Sequence, residues 1–146
     1  MRHALLSNVS LPRCDVKHQK LYVALPCSGK RVLFSLWTLA DLLSIAFSYD
    51  FTTKQAFVDR TKSGNSSFDA SFASIYHAPL AARNGQISLR ILLDWSSVEV
   101  FGGLGESTIT AQIFPSDAGT GVKLFSADTT TKNVRISAKT VASSWH

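Results

Sequence analysis

From Phe47 to the C-terminus the chain is written in short runs that alternate apolar and polar residues. A period of two is the signature of strands that bury one face. Ile87, Leu89, Ile91 and Leu93 share one parity of "ISLRILL", as do Val98 and Val100 in "SVEVF" and Ile109, Ala111 and Ile113 in "STITAQIF". Val122 and Leu124 in "GVKLFSA" and Val134 and Ile136 in "NVRISAK" repeat the pattern. Phe47, Tyr49 and Phe51 alternate in "FSYDF", "TTKQ" turns the chain into "AFVDR", and "FASIYHAPL" reads as a strand ending at Pro79. Asn84–Gly85 in "ARNGQ" is a hairpin turn signal. Many such runs, punctuated by Gly, Asn, Asp and Ser with no helical period between them, predict an all-β antiparallel sandwich of two packed sheets.

The opposite parity is less polar than a solvated sheet face requires. Leu92, Phe101, Phe114 and Phe125 all fall there, whereas an antiparallel sheet commonly keeps one face wet. Two readings account for this: cover from another element, or a bulge that shifts the register.

Residues 1–46 follow a different grammar. Leu33, Leu36, Trp37, Ala40, Leu43 and Phe47 recur at helical spacing, so the stretch reads as an irregular or partly helical extension to a sandwich at 47–146. It also holds most of the net charge of +5. The remainder is nearly neutral and lacks the basic stripe that phosphate neutralisation needs, which argues against a nucleic-acid partner. Cys14 and Cys27, the only two cysteines, have no His or third Cys at ligand spacing, so no metal is expected. No motif calls for a cofactor. The apolar run Val32 to Phe47 is interrupted by Asp41 and is shorter than the roughly 20 residues of a membrane span, so no membrane partner is expected. Met1 to Ser10 has no apolar core of the secretory-signal kind.

Chemistry is concentrated in one stretch, "DWSSVEVFGGLGE", which holds both glutamates of the chain, Glu99 and Glu106, with Asp94. Asp94 and Glu99 could form the carboxylate pair of a glycosidase, held about 5–10 Å apart. The structural reading is simpler. Asp94 stands where a strand gives way to a turn, a place Asp favours because its side chain caps turn amides. Glu99 lies between Val98 and Val100 and so points away from the core. "GGLGES" lacks the Lys-Ser/Thr of a phosphate loop and reads as a hairpin turn. His3, His18, His77 and His146 are scattered, and none sits in a nucleophile motif. No catalytic residue is assigned.

The runs "YDFTTKQAFVDRTKSGN", "FASIYHAPL" and "DWSSVEVFGGLGESTITAQIFPS" resemble the C-terminal β-sandwich of glycoside hydrolase family 32, the invertases, inulinases and levanases, particularly its fungal members. The resemblance covers residues 47–146. It implies that the catalytic groups lie in an N-terminal five-bladed β-propeller, with an Asp in a "WMNDPNG"-like motif, an Asp in "RDP" and a Glu in "EC". None of these motifs occurs in this sequence: "VDR" at Val58 to Arg60 is not "RDP", and neither glutamate precedes a cysteine. The resemblance thus implies the non-catalytic part of a fructan- or sucrose-cleaving enzyme. Its expected partner is the propeller, whose contact with the sandwich would explain the second apolar face.

Residues 1–46 depart from that pattern. They are expected to reflect an incomplete gene model, read-through of non-coding sequence or a truncated paralogue; an upstream open reading frame with the propeller motifs would support the first two. The resemblance also implies secretion and N-glycosylation, for which Asn65-Ser66-Ser67 is a sequon on a polar loop; Asn8-Val9-Ser10 is a second. Two alternatives stand beside the leading reading. In a stand-alone carbohydrate-binding module, Trp95 and Tyr76 would stack on fructan or sucrose. In an inactive relic, an uncovered apolar patch would favour self-association.

Overall fold

The computed structural model describes residues 4–7, 19–26, 31–39, 43–94, 96–114, 122–126 and 135–140, with side chains placed for 45–94 and 96–114. Among the described residues eleven strands run in order: β1 Ala4–Ser7, β2 Gln19–Pro26, β3 Arg31–Leu39, β4 Leu43–Asp50, β5 Gln55–Lys62, β6 Ile75–Pro79, β7 Gln86–Leu93, β8 Ser97–Gly102, β9 Ser107–Gln112, β10 Val122–Ser126 and β11 Arg135–Thr140. They form a six-stranded sheet, β1-β10-β3-β4-β5-β6, and a five-stranded sheet, β11-β2-β7-β8-β9. Neighbouring strands are antiparallel throughout.

Alternation decides which face each strand buries. Ile45, Phe47 and Tyr49 of β4 and Ala56 and Val58 of β5 form one wall of the core, facing Ile87, Leu89, Ile91 and Leu93 of β7. Val98 and Val100 of β8, with Ile109, Ala111 and Ile113, extend the second wall. Every inward position expected from the sequence between residues 47 and 113 is buried, except Phe51, which is half-buried against the same cluster. The expected positions at Val122, Leu124 and Ile136 fall on β10 and β11, outside the described side chains, and Val134 lies outside the described residues.

Turn chemistry sets the register. At Asn84 and Gly85, φ is 50° and 71°, and Arg83 and Gln86 exchange both backbone hydrogen bonds, at 2.8 and 2.9 Å. Positive φ at both central residues is what a type I′ turn demands, hence Asn-Gly. Between β4 and β5, Asp50 Oδ1 accepts the N–H groups of Thr52 and Thr53 at 2.8 and 3.1 Å. Lys54 then takes a positive φ of 55°.

The helix expected from Leu33 to Phe47 is corrected: the described residues of this stretch lie on two paired antiparallel strands, β3 and β4. Their register pairs Phe34 with Phe47 and Leu36 with Ile45, with an irregularity before Leu39 meets Leu43. The physical reason is that a nearly continuous apolar run satisfies both periods, and only long-range pairing separates them. β3 finds β10 on one side and β4 on the other. β2, also before residue 46, lies between β11 and β7 in the five-stranded sheet. The expected boundary at residues 46 and 47 falls inside β4.

No register shift interrupts β7, β8 and β9, so a bulge does not explain the outward apolar residues there. Leu92 and Phe101 are half-buried, and the Arg90 guanidinium lies 4.7 Å over the Phe101 ring. The Arg90 guanidinium thus covers part of the Phe101 ring. Phe125 falls on β10, outside the described side chains.

Candidate functional site

The glycine-rich hairpin between β8 and β9 packs closely against its surroundings. Gly102 ends β8 facing Leu80, which is 2% exposed. A Cβ at Gly102 would stand 2.8 and 2.9 Å from the two methyl carbons of Leu80. Leu80 is in turn held by its backbone: its N–H donates to Lys54 O at 2.9 Å, and its carbonyl accepts the buried Tyr49 hydroxyl at 2.6 Å. The first glycine of the motif therefore leaves room for Leu80, a buried member of the core cluster that plugs the space beside it.

The second glycine serves the carboxylate that follows. Gly103 has φ +64°, and a Cβ there would overlap the Glu106 carboxylate. Glu106 Oε2 accepts the Leu104 N–H at 2.6 Å, and Oε1 accepts Arg83 Nε at 3.0 Å. Backbone N–H groups of Glu106 and Leu104 aimed at the carboxylate, with a smaller contribution from Arg83, hold its pKa below the ordinary glutamate value. Because the charged form is favoured in the folded state, its contribution is complete above the unfolded pKa, roughly 4.3, and is lost as pH falls through the lower folded value. The stability difference between wild type and Glu106→Gln should accordingly be present at neutral pH and disappear in acid. Denaturation of both proteins across pH 7 to 3 measures it, and a difference that grows in acid would contradict the assignment.

Asp94 and Glu99, the candidate carboxylate pair, occupy different settings. Asp94 is exposed in the turn after β7, where its N–H donates to Ser97 O at 3.0 Å. Glu99 is half-buried at mid-strand on the outward face of β8, opposite Leu92 and Thr110. Among the described residues, no three His, Cys, Asp or Glu side chains gather as a metal site would require.

Among the described residues, the densest polar arrangement lies where β5, β6 and β9 meet, around Arg60. The same parity that buries Ala56 and Val58 turns Arg60 inward, and it is 7% exposed. Nη1 donates to Gln112 O of β9 at 3.0 Å, Nη2 to the Tyr76 hydroxyl of β6 at 2.5 Å, and Nε to Ser74 Oγ at 3.3 Å. The guanidinium carbon lies 4.0 Å from the Phe72 ring centroid and 4.8 Å from that of Tyr76. Two aromatic faces and three acceptors thus take the place of a carboxylate, and a single side chain ties one sheet to the other. Sequence reasoning passed over Arg60; its inward parity after Ala56 and Val58 is the signal that marks it.

Phe72 continues outward into an aromatic cluster. Phe68 lies 4.8 Å from Phe72 and 5.4 Å from Phe114, and Phe72 lies 5.4 Å from Phe114. Phe68 is 58% exposed and Phe114 36%. Asx-type bonds shape the loop that carries Phe68. Ser67 donates its N–H and hydroxyl to Asn65 Oδ1, at 3.2 and 2.9 Å. Ser71 does the same to Asp69 Oδ1, both at 2.7 Å, and these bonds hold Asp69 below its usual pKa. Of the three residues singled out from sequence, Asn65 is exposed on this loop and Tyr76 is partly exposed beside Arg60. Trp95 lies outside the described residues.

Comparison with known proteins gives the family of the chain. The family model for glycosyl hydrolases family 32, C terminal, matches residues 17–140, which includes the β2 and β3 strands. The ecdE protein of Aspergillus rugulosus is 57% identical over 67% of this chain and 14% of its own length. An extracellular exo-inulinase of Aspergillus niger is 50% identical over 67% of this chain and 18% of its own. The crystal structure of exo-inulinase from Aspergillus awamori superposes with a TM-score of 0.84 at 36% identity, over 99% of this chain and 27% of that one. The chain therefore spans less than a fifth of the ecdE protein and of the Aspergillus niger exo-inulinase, and about a quarter of the crystallised one. With its two antiparallel sheets, its Gly102–Leu80 plug and a family match across 17–140, the chain belongs to the C-terminal β-sandwich family of the family 32 glycosyl hydrolases.

Proposed function

We propose that this chain is the non-catalytic sandwich of a secreted fructan- or sucrose-cleaving hydrolase, and that it acts by stabilising and shaping an adjoining catalytic propeller. One observation carries the reading most directly. The polar side chains of the family-like runs are engaged in holding the sandwich: Arg60 by Gln112 O, Tyr76 and Ser74, and Glu106 by the Leu104 N–H and Arg83. The relatives' extracellular exo-inulinase descriptions support secretion. A sandwich of this size buries roughly two thirds of its unfolded surface, enough to fold as a unit beside a propeller.

The test is complementation. A family 32 propeller produced without its own sandwich is incubated with and without this chain, and its inactivation half-life on sucrose and inulin is followed. Severalfold lengthening is expected with the chain present; an unchanged half-life would contradict the supporting role. A second reading, sugar binding at the surface, draws on the partial exposure of Tyr76. It requires that fructan titration of the chain produce saturable heat that Tyr76→Ala removes.

A further inference from the structure

The exposed aromatic cluster needs an occupant, and its sequence neighbour supplies one. Phe68 and Phe114 are the outermost rings of a stack that descends through Phe72 to Arg60. An apolar surface of this kind, rimmed by polar loop residues, marks a contact site. Three residues before Phe68 stands the sequon Asn65-Ser66-Ser67, so the Asn65 and Phe68 Cα atoms are at most about 11 Å apart. An isolated parallel bridge joins Gly64 to Phe114, which brings the chain into Asn65 alongside the second exposed ring. Asn65 is exposed, and its Oδ1 accepts both the N–H and the hydroxyl of Ser67. The amide oxygen is thus fixed by the sequon's own hydroxyl residue, and the amide nitrogen stands outside that pair of bonds.

We propose that Asn65 carries an N-linked glycan whose first sugar rings lie against Phe68 and Phe114, covering the aromatic cluster. The inference rests on the proposal that the chain belongs to a secreted enzyme. In the transfer, Asn65 Nδ2 attacks C1 of a lipid-diphosphate-linked oligosaccharide. The new N–C1 bond replaces the C1–O bond, the lipid diphosphate departs with the electron pair, and a base takes the Nδ2 proton. The C–H face of an N-acetylglucosamine ring is apolar and matches an aromatic face, so seating it removes ring surface from water.

The experiment uses the full chain in an Asn8→Gln background, leaving one sequon, produced behind a supplied secretion leader in a glycosylating host and also in bacteria. Mass spectrometry reads occupancy at Asn65, and thermal unfolding compares the two preparations. The glycosylated protein is expected to melt about 3 °C higher, and Phe68→Ala should abolish that gain. Phe68→Leu, which keeps apolar contact with Phe72 but has no aromatic face, should abolish most of it. An unoccupied Asn65 would overturn the proposal, as would a gain unchanged in both Phe68 variants. Because the leader is supplied, either outcome is independent of where the natural protein resides.

Discussion

Replacing Arg60 with methionine should destabilise the sandwich by about 3 kcal/mol, which corresponds to roughly 6–12 °C in melting temperature for a chain of this size. Three groups set that figure. Gln112 O and the Tyr76 hydroxyl lose charged donors at 3.0 and 2.5 Å, and Phe72 and Tyr76 lose the cation between them. These bonds are part-buried, and a hydrogen bond from a charged donor is worth about 1.5–3 kcal/mol. Methionine refills much of the volume, so the loss reports the bonds and the cation more than a cavity. Arg60→Lys discriminates further: it keeps the charge but cannot reach three acceptors in a plane, and it should recover less than half of the loss. Chemical denaturation measures all three proteins. A methionine variant within about 0.5 kcal/mol of wild type would show that Arg60 does not clasp the two sheets.

The second large effect belongs to Gly102. An alanine there would press its methyl group to 2.8 Å from Leu80, and overpacking of this kind costs about 2 kcal/mol. Leu80→Ala alone should cost about 3 kcal/mol, because the side chain is 2% exposed and its removal leaves a cavity. The two changes should not add. With Leu80 truncated, the alanine at residue 102 has room and should cost well under 1 kcal/mol, so the double-mutant cycle should show a favourable coupling of about 1–2 kcal/mol. Additive losses would mean that the glycine is needed for some reason other than the plug.

These two sites show where reading the sequence succeeds and where it stops. The inward parity of Ile87 to Leu93 and of Ile109 to Ile113 was legible because period-two alternation is a local property. Asn84–Gly85 was legible because only a few residues tolerate positive φ at both turn positions. The pairing of β3 with β4 was not, because Leu33, Leu36, Ala40 and Leu43 fit a helix equally well. Pairing with β10 and β4, distant in sequence or set by register, chose the strand. Arg60 escaped notice because its partners Ser74, Tyr76 and Gln112 lie 14 to 52 residues away. Gly102 looked like turn chemistry, and its actual constraint, Leu80, sits on another loop. What was local could be read from the sequence, and what depended on two sheets meeting could not.

On the proposed function, Asp94 and Glu99 perform no hydrolysis. The direct measurement is fructose release from sucrose and inulin by the purified full chain, alongside Asp94→Asn and Glu99→Gln variants. The account predicts no release above the buffer blank from any of the three proteins. Release by the wild type that falls in either variant would contradict it and return Asp94 and Glu99 to the role of a catalytic pair.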